Sequence, residues 1–225
     1  LGKPELALDS YKRVMEIGEG SFTELATLNY ANISYSLENY KQALEGYSSL
    51  VLIARLENNK RDALMGRLSS FFMDKQYENA IAEAQRIERR GLSENQLRAV
   101  KYIEAKSLYL TGNRSKAMPL LKELSSSKVS KEGAEAAYLI VANHFDNGEF
   151  EAVERETFSF SVSGTPHTYW LAKSFILLGD SYAERGNNEQ ARATFESILE
   201  SYKPVDKDDI PDQIKLRLDK INSRL

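Results

Sequence analysis

The sequence predicts an all-α fold, an array of helical hairpins set side by side, on three observations. Alanines recur at Ala7, Ala43, Ala80, Ala117, Ala152 and Ala191, 35 to 39 residues apart along the 225-residue chain. Each opens the apolar stripe of a helix, and a period this regular marks a repeated supersecondary unit. The stretch from Tyr169 to Pro204 shows the unit most fully: Trp170, Phe175, Leu178 and Tyr182 stand at helical spacing, and Gly186 closes that helix. Ala191, Phe195 and Ile198 then form a second stripe, and the small residues Gly179 and Ala191 let two backbones approach. Finally, charged and apolar residues interleave throughout, with only 12 Gly and 5 Pro and no apolar run near the roughly 18 residues of a membrane span.

Taken in order, residues 1–18 read as half a repeat. Leu6, Ala7, Tyr11 and Val14 form the inner stripe of a second helix that lacks its first. The chain is therefore expected to be the C-terminal part of a larger protein, and the bare stripe offers a face for dimerisation. Ser21 with Glu24 predicts a capping box opening a helix over 21–37, and Asn39 with Gln42 repeats the device for the next helix. The first full repeat is thus 21–57 and the second 59–91. Ser93 with Gln96 opens the third, 93–127, whose Ser125, Ser126 and Ser127 read as a turn. The fourth spans 130–164, where Phe158, Phe160 and Val162 alternate with serines at period two. That pattern predicts an extended connector after the second helix. Thr165 caps and Pro166 opens the fifth repeat, 166–203. In 206–225, Ile210, Ile214, Leu218, Ile221 and Leu225 share one face and Lys215, Arg217, Asp219, Lys220 and Arg224 the other, as a terminal capping helix requires.

Leu178, Gly179, Tyr182, Gly186, Ala191, Phe195 and Pro204 together resemble the signature of the tetratricopeptide repeat (TPR). Earlier repeats keep parts of it: Tyr30, Ala31, Tyr40 and Ala43; Phe71, Tyr77, Ala80 and Ala84; Ala105, Leu108, Gly112 and Ala117; Gly148 and Phe150. They depart at Ser34, where an aromatic is expected, and at Leu68 and Ile140, where a small residue is. A larger side chain at a close helix contact costs roughly 1–3 kcal/mol unless the helices part, so wider spacing is expected there. The resemblance implies a single right-handed superhelical solenoid over residues 1–225 with a C-terminal capping helix, and a concave groove lined by the first helix of each hairpin.

Carried over residue by residue, the resemblance puts three rows into that groove. One is Tyr35, Phe72, Tyr109 and His144, ending at Ala183; the second is Asn32, Ser69, Lys106, Val141 and Asp180; the third is Leu28, Met65 and Tyr102. Met73 and Phe145 add apolar area. Rings with a few polar groups are the usual composition of binding hot spots, although Tyr and Phe also fill cores. A TPR subtype grips a peptide's terminal carboxylate with lysine and asparagine. Only Asn32 and Lys106 remain of such a clamp, which argues against that mechanism.

Function follows as binding of a protein or peptide segment. His144 and His167 are the only histidines, there is no cysteine, and no phosphate-binding glycine loop, nucleophile elbow or paired-carboxylate pattern occurs. No enzymatic activity, metal or cofactor is expected. A net charge of −3 argues against nucleic acid, since helical repeats that read single-stranded RNA need basic grooves. A self-associating architectural array is the remaining alternative. The run Thr165, Pro166, Tyr169, Trp170 makes residues 133–204 similar to large bacterial TPR proteins of the cell envelope, and more loosely to the TPR lipoprotein of outer-membrane assembly and the Tol-Pal accessory protein. That similarity implies a periplasmic or outer-membrane-associated protein, with the cytoplasm as the alternative.

Overall fold

The computed structural model describes residues 4–18, 20, 22–204 and 208–223. These residues form α-helices and one short 3-10 turn, and no β-strand occurs among them. The chain divides into two compact units, residues 1–113 and 114–225. The boundary falls inside the third predicted repeat, at the turn between its two helices.

The first unit runs α1 (Pro4–Ile17), α2 (Thr23–Ser36), α3 (Tyr40–Ile53), α4 (Glu57–Met73), α5 (Tyr77–Arg86) and α6 (Glu94–Leu110). Each helix packs on the next, and α4 also touches α2 and α6. Two apolar clusters hold it. Ala31, Ala43, Tyr47, Leu50 and Ala63 join α2, α3 and α4, and Leu68, Ala80, Ala84, Ile87, Val100 and Ile103 join α4, α5 and α6. Leu68 is fully buried, and the small Ala80 and Ala84 in the same cluster make the room that its side chain needs. Helix α1 packs on α2, but none of its residues is buried, and Leu6 and Ile17 are exposed.

The second unit runs α7 (Arg114–Leu124), the 3-10 turn Ser125–Ser127, α8 (Lys131–Asp146), α9 (Phe150–Ser161), α10 (Thr168–Glu184), α11 (Asn188–Ser201) and α12 (Ile210–Asn222). Helix α10 packs against α8, α9, α11 and α12. Its core gathers Val141, Val153, Ile176, Leu178, Tyr182, Phe195, Ile198, Ile210, Ile214 and Ile221. Gly179 is required here, because a Cβ at that position would stand 2.4 Å from the buried Phe195 ring.

The helix ends follow the local chemistry. Ser93 and Gln96 form the full reciprocal capping box, and Asn39 accepts from the Gln42 N–H. Ser21 lies outside the described residues. The Glu24 carboxylate accepts instead from Arg55 N at 3.2 Å and Asn59 Nδ2 at 2.6 Å, tying the start of α2 to the α3–α4 connection. Every hairpin turn places one residue at positive φ two positions before its second helix: Glu38, Lys75, Gly112, Gly148 and Gly186.

The structure corrects the sequence reading at four places. Phe158–Ser163 is not extended: α9 continues to Ser161, because Phe160 is fully buried on its inner face beside Ala134 and Ala137. The fourth repeat is displaced by one residue. Val153, fully buried, takes the place given to Ala152, and Val141 takes that given to Ile140; Val153 stands three residues into its helix, as do Ala43, Ala80, Ala117 and Ala191. Helix α10 starts at Thr168 rather than at Pro166. Thr165 Oγ1 donates to the Lys128 carbonyl at 2.7 Å and accepts from His167 N at 3.1 Å, which fixes a turn before the helix. Finally, Arg217 is not part of a solvated outer face of α12 but turns onto Asp180. Asp206, Arg224 and Leu225 of that predicted helix lie outside the described residues.

Candidate functional site

In the first unit, α2, α3 and α4 enclose a cleft of about 340 Å³. It is lined by Leu28, Asn32 and Tyr35 from α2, Tyr47 from α3, and Asp62, Met65, Gly66 and Ser69 from α4. Helical spacing puts Leu28, Asn32 and Tyr35 on one face, and Asp62, Met65, Gly66 and Ser69 on the facing side of α4. The contact between α2 and α4 opposes those faces.

The floor is the ring of Tyr47, which is 5% exposed. It lies flat on α4 only because residue 66 is glycine, where a Cβ would meet the ring at 2.3 Å. The Tyr47 hydroxyl donates to Asn32 Oδ1 at 2.7 Å. Burial, the neighbouring Tyr35 and the charge of Asp62 push its pKa up to about 12, so the hydroxyl keeps its proton at neutral pH. Tyr35 is half-buried and packs edge-on to Tyr40 across the hairpin turn, with centroids 5.5 Å apart.

A second group lies between α4 and α6. The Lys106 ammonium sits 5.5 Å from the Phe72 ring centroid and 5.4 Å from that of Tyr102, and donates to the Tyr102 hydroxyl at 3.0 Å. Toward Phe72 the contact is of cation–π type, whereas at Tyr102 the ammonium sits at the hydroxyl edge and is held by the hydrogen bond. Phe72 also contacts Tyr77, repeating the Tyr35–Tyr40 pair of the preceding hairpin. Met73 is exposed, and Tyr109 is half-buried one residue before the end of α6.

In the second unit the predicted residues are engaged differently. His144 Nδ1 lies 2.5 Å from Glu149 Oε2, across the turn after α8. Phe145, not His144, stands one residue before the helix end, and it contacts Phe150 as Tyr35 contacts Tyr40. Val141 is buried in the core. Asp180 is clamped by Arg217 of α12, whose Nε lies 2.8 and 2.9 Å from the two carboxylate oxygens and whose Nη2 lies 2.8 Å from Oδ2. Asp180 and Phe145 border a crevice of about 560 Å³ shared with Leu216, Arg217 and Lys220. The sequence reading missed Tyr47, Asp62 and Gly66 in the first cleft. A glycine in mid-helix is the signal that could have found the floor, since it is disfavoured there unless something approaches closely. No group of three or more His, Cys, Asp or Glu able to hold a metal occurs among the described residues.

Comparison with known proteins supplies the frame for these sites. A family model described as tetratricopeptide repeat matches residues 169–203. Among solved structures, the chain is similar to that of YrrB, described as a TPR protein with an unusual peptide-binding site, at a TM-score of 0.59 and 19% identity, covering 95% of this chain and 99% of that one. A search of curated proteins finds no match. No helix among the described residues is long and apolar enough to cross a membrane. Residues 169–203 are therefore a tetratricopeptide repeat, and the chain as a whole carries the fold of a tetratricopeptide-repeat protein.

Proposed function

We propose that the chain is a non-enzymatic interaction module that holds a segment of a partner protein in the cleft between α2 and α4. The observation that carries this is the cleft itself. Leu28 and Met65 supply apolar walls, Tyr35 a ring, and Asn32 and Ser69 the polar groups that an extended backbone needs, all set on rigid helices. YrrB is described as having a peptide-binding site, and the shared fold supports the same use here. The Phe72, Tyr102 and Lys106 group extends the surface within the same unit, with Met73 and Tyr109 flanking it on α4 and α6. In the second unit His144, Phe145 and Asp180 serve their own hairpins and α12 first, so the first unit carries the primary site. An envelope location accords with the resemblance of residues 133–204 and is part of this reading, as is a partner from an envelope assembly.

The test is position-specific crosslinking in the native host. A photoreactive residue at Ser69 in the cleft is expected to capture a discrete protein that one at Glu45, exposed on α3, does not. Equal capture from both positions, or none from Ser69, removes the cleft from consideration. Fractionating the same cells reports the compartment.

A further inference from the structure

Resting on the cleft reading above, we propose that the cleft between α2 and α4 selects a partner segment by a cationic side chain, arginine or lysine, seated against Asp62. Of the residues lining it, Asp62 is the only charged one, and no cation lines it. Asp62 is exposed and forms no ion pair among the described residues. Its carboxylate therefore has no compensating cation among the lining residues of an otherwise uncharged cleft.

The hydrogen-bonding roles of the floor point the same way. The Tyr47 proton is committed to Asn32 Oδ1, so Tyr47 faces the cleft with its oxygen lone pairs. Those lone pairs, the Asp62 carboxylate and the Ser69 hydroxyl can all accept. The Asn32 amide nitrogen is left to donate to a backbone carbonyl of the guest. A guanidinium offers five donors and no acceptor, and its planar face stacks on a tyrosine ring such as Tyr35. The aliphatic stem of either cationic residue matches the Leu28 and Met65 walls. A carboxylate guest would meet like charge at Asp62 and surplus acceptors at the floor. The cleft is thus opposite in sign to the clamp that grips a terminal carboxylate.

The whole chain, fluorescently labelled, is to be titrated with four pools of seven-residue peptides that are randomised except at the centre, fixed as Arg, Lys, Leu or Glu. The Arg and Lys pools should bind more tightly than the Leu pool, and the Glu pool most weakly. Asp62→Asn should lower the affinity for the Arg pool about tenfold, the size typical of a lost charge-assisted contact. Asp62→Lys should reverse the order and favour the Glu pool. Asp62 is exposed, so neither substitution should shift the melting curve, which is the fold control.

Equal binding of the four pools overturns the cationic anchor while leaving the cleft reading standing. An Arg preference that survives Asp62→Asn places the charge selection elsewhere and also overturns it. If no pool binds at millimolar concentration, the anchor and short-peptide recognition fall together, and the Ser69 crosslink then shows whether any partner uses the cleft.

Discussion

At the residue scale, Tyr47 does two jobs, filling a core position and flooring the cleft, and its titration reports both. Its folded pKa, pushed to about 12, lies above the ordinary tyrosine value of 10.0, mainly through burial. The unfolded chain therefore loses this proton first as pH rises, and the stability contributed below pH 10 declines between about pH 10 and 12. Chemical denaturation across that range should show the decline, and Tyr47→Phe should flatten part of it. A Tyr47→Phe chain whose high-pH decline equals that of the parent would exclude this assignment. Some cleft-lining residues were named from the sequence and others were not. Asn32, Tyr35 and Ser69 came from the repeat resemblance, which assigns them to groove rows, and the structure places all three on the lining of one cleft. Asp62 was not among them, since an exposed aspartate on a helix has no local mark of what faces it. Ser34, a departure from the repeat signature, has its Oγ buried without a hydrogen-bond partner, as does Ser107.

At the element scale, the hairpin turn is the most uniform feature of the chain. The residue two before each second helix is left-handed, and in three turns it is glycine. Glu38 and Lys75 hold the same conformation, each at φ 59°, against the steric preference of an L side chain. Glu38→Gly and Lys75→Gly should each stabilise by about 0.5–1 kcal/mol, the relief of that strain less the entropy glycine loses on folding. Urea denaturation checks this, and destabilisation by either substitution would show that a side-chain contact outweighs the backbone term. The turns at Gly112, Gly148 and Gly186 were readable because glycine advertises positive φ. A glutamate or lysine there carries no such sign, and only the equal spacing to the next helix reveals the equivalence. The displaced fourth repeat has a similar cause. Ala152 attracted the alignment because it is an alanine, yet four and seven residues later stand Glu156 and Ser159, whereas Val153 is followed by the buried Thr157 and Phe160. Periodicity of burial was the better guide, and residue identity the worse one. The serine–aromatic alternation of 158–163 misled in the same way, since period two over so few residues also fits a helix with one buried ring.

At the scale of the whole molecule, the repeat period fixed the fold class because nearest-neighbour stacking is what a 35-to-39-residue helical unit can do with its apolar faces. Stability should then vary with the number of neighbours. Helix α4 touches α2, α3, α5 and α6, and α10 touches α8, α9, α11 and α12, whereas α1 has no buried residue. Amide hydrogen exchange should therefore be fastest in α1 and slowest in α4 and α10, within each unit taken separately. Protection of α1 equal to that of α4 would contradict this ranking. What the period does not encode is the docking of α12, where Arg217 in mid-helix turns inward onto α10; such a tertiary ion pair depends on two residues 37 apart in sequence, Asp180 and Arg217, with no pattern linking them.

The flat seating of Tyr47 on Gly66 has one more implication. The ring comes from the second helix of one hairpin and its seat from the first helix of the next. Under the proposed function, recognition is stored in the joint, and no isolated hairpin possesses it. Grafting one hairpin into a foreign array would carry half a binding site on each flank, so its ligand preference would be inherited from whichever neighbours it acquired.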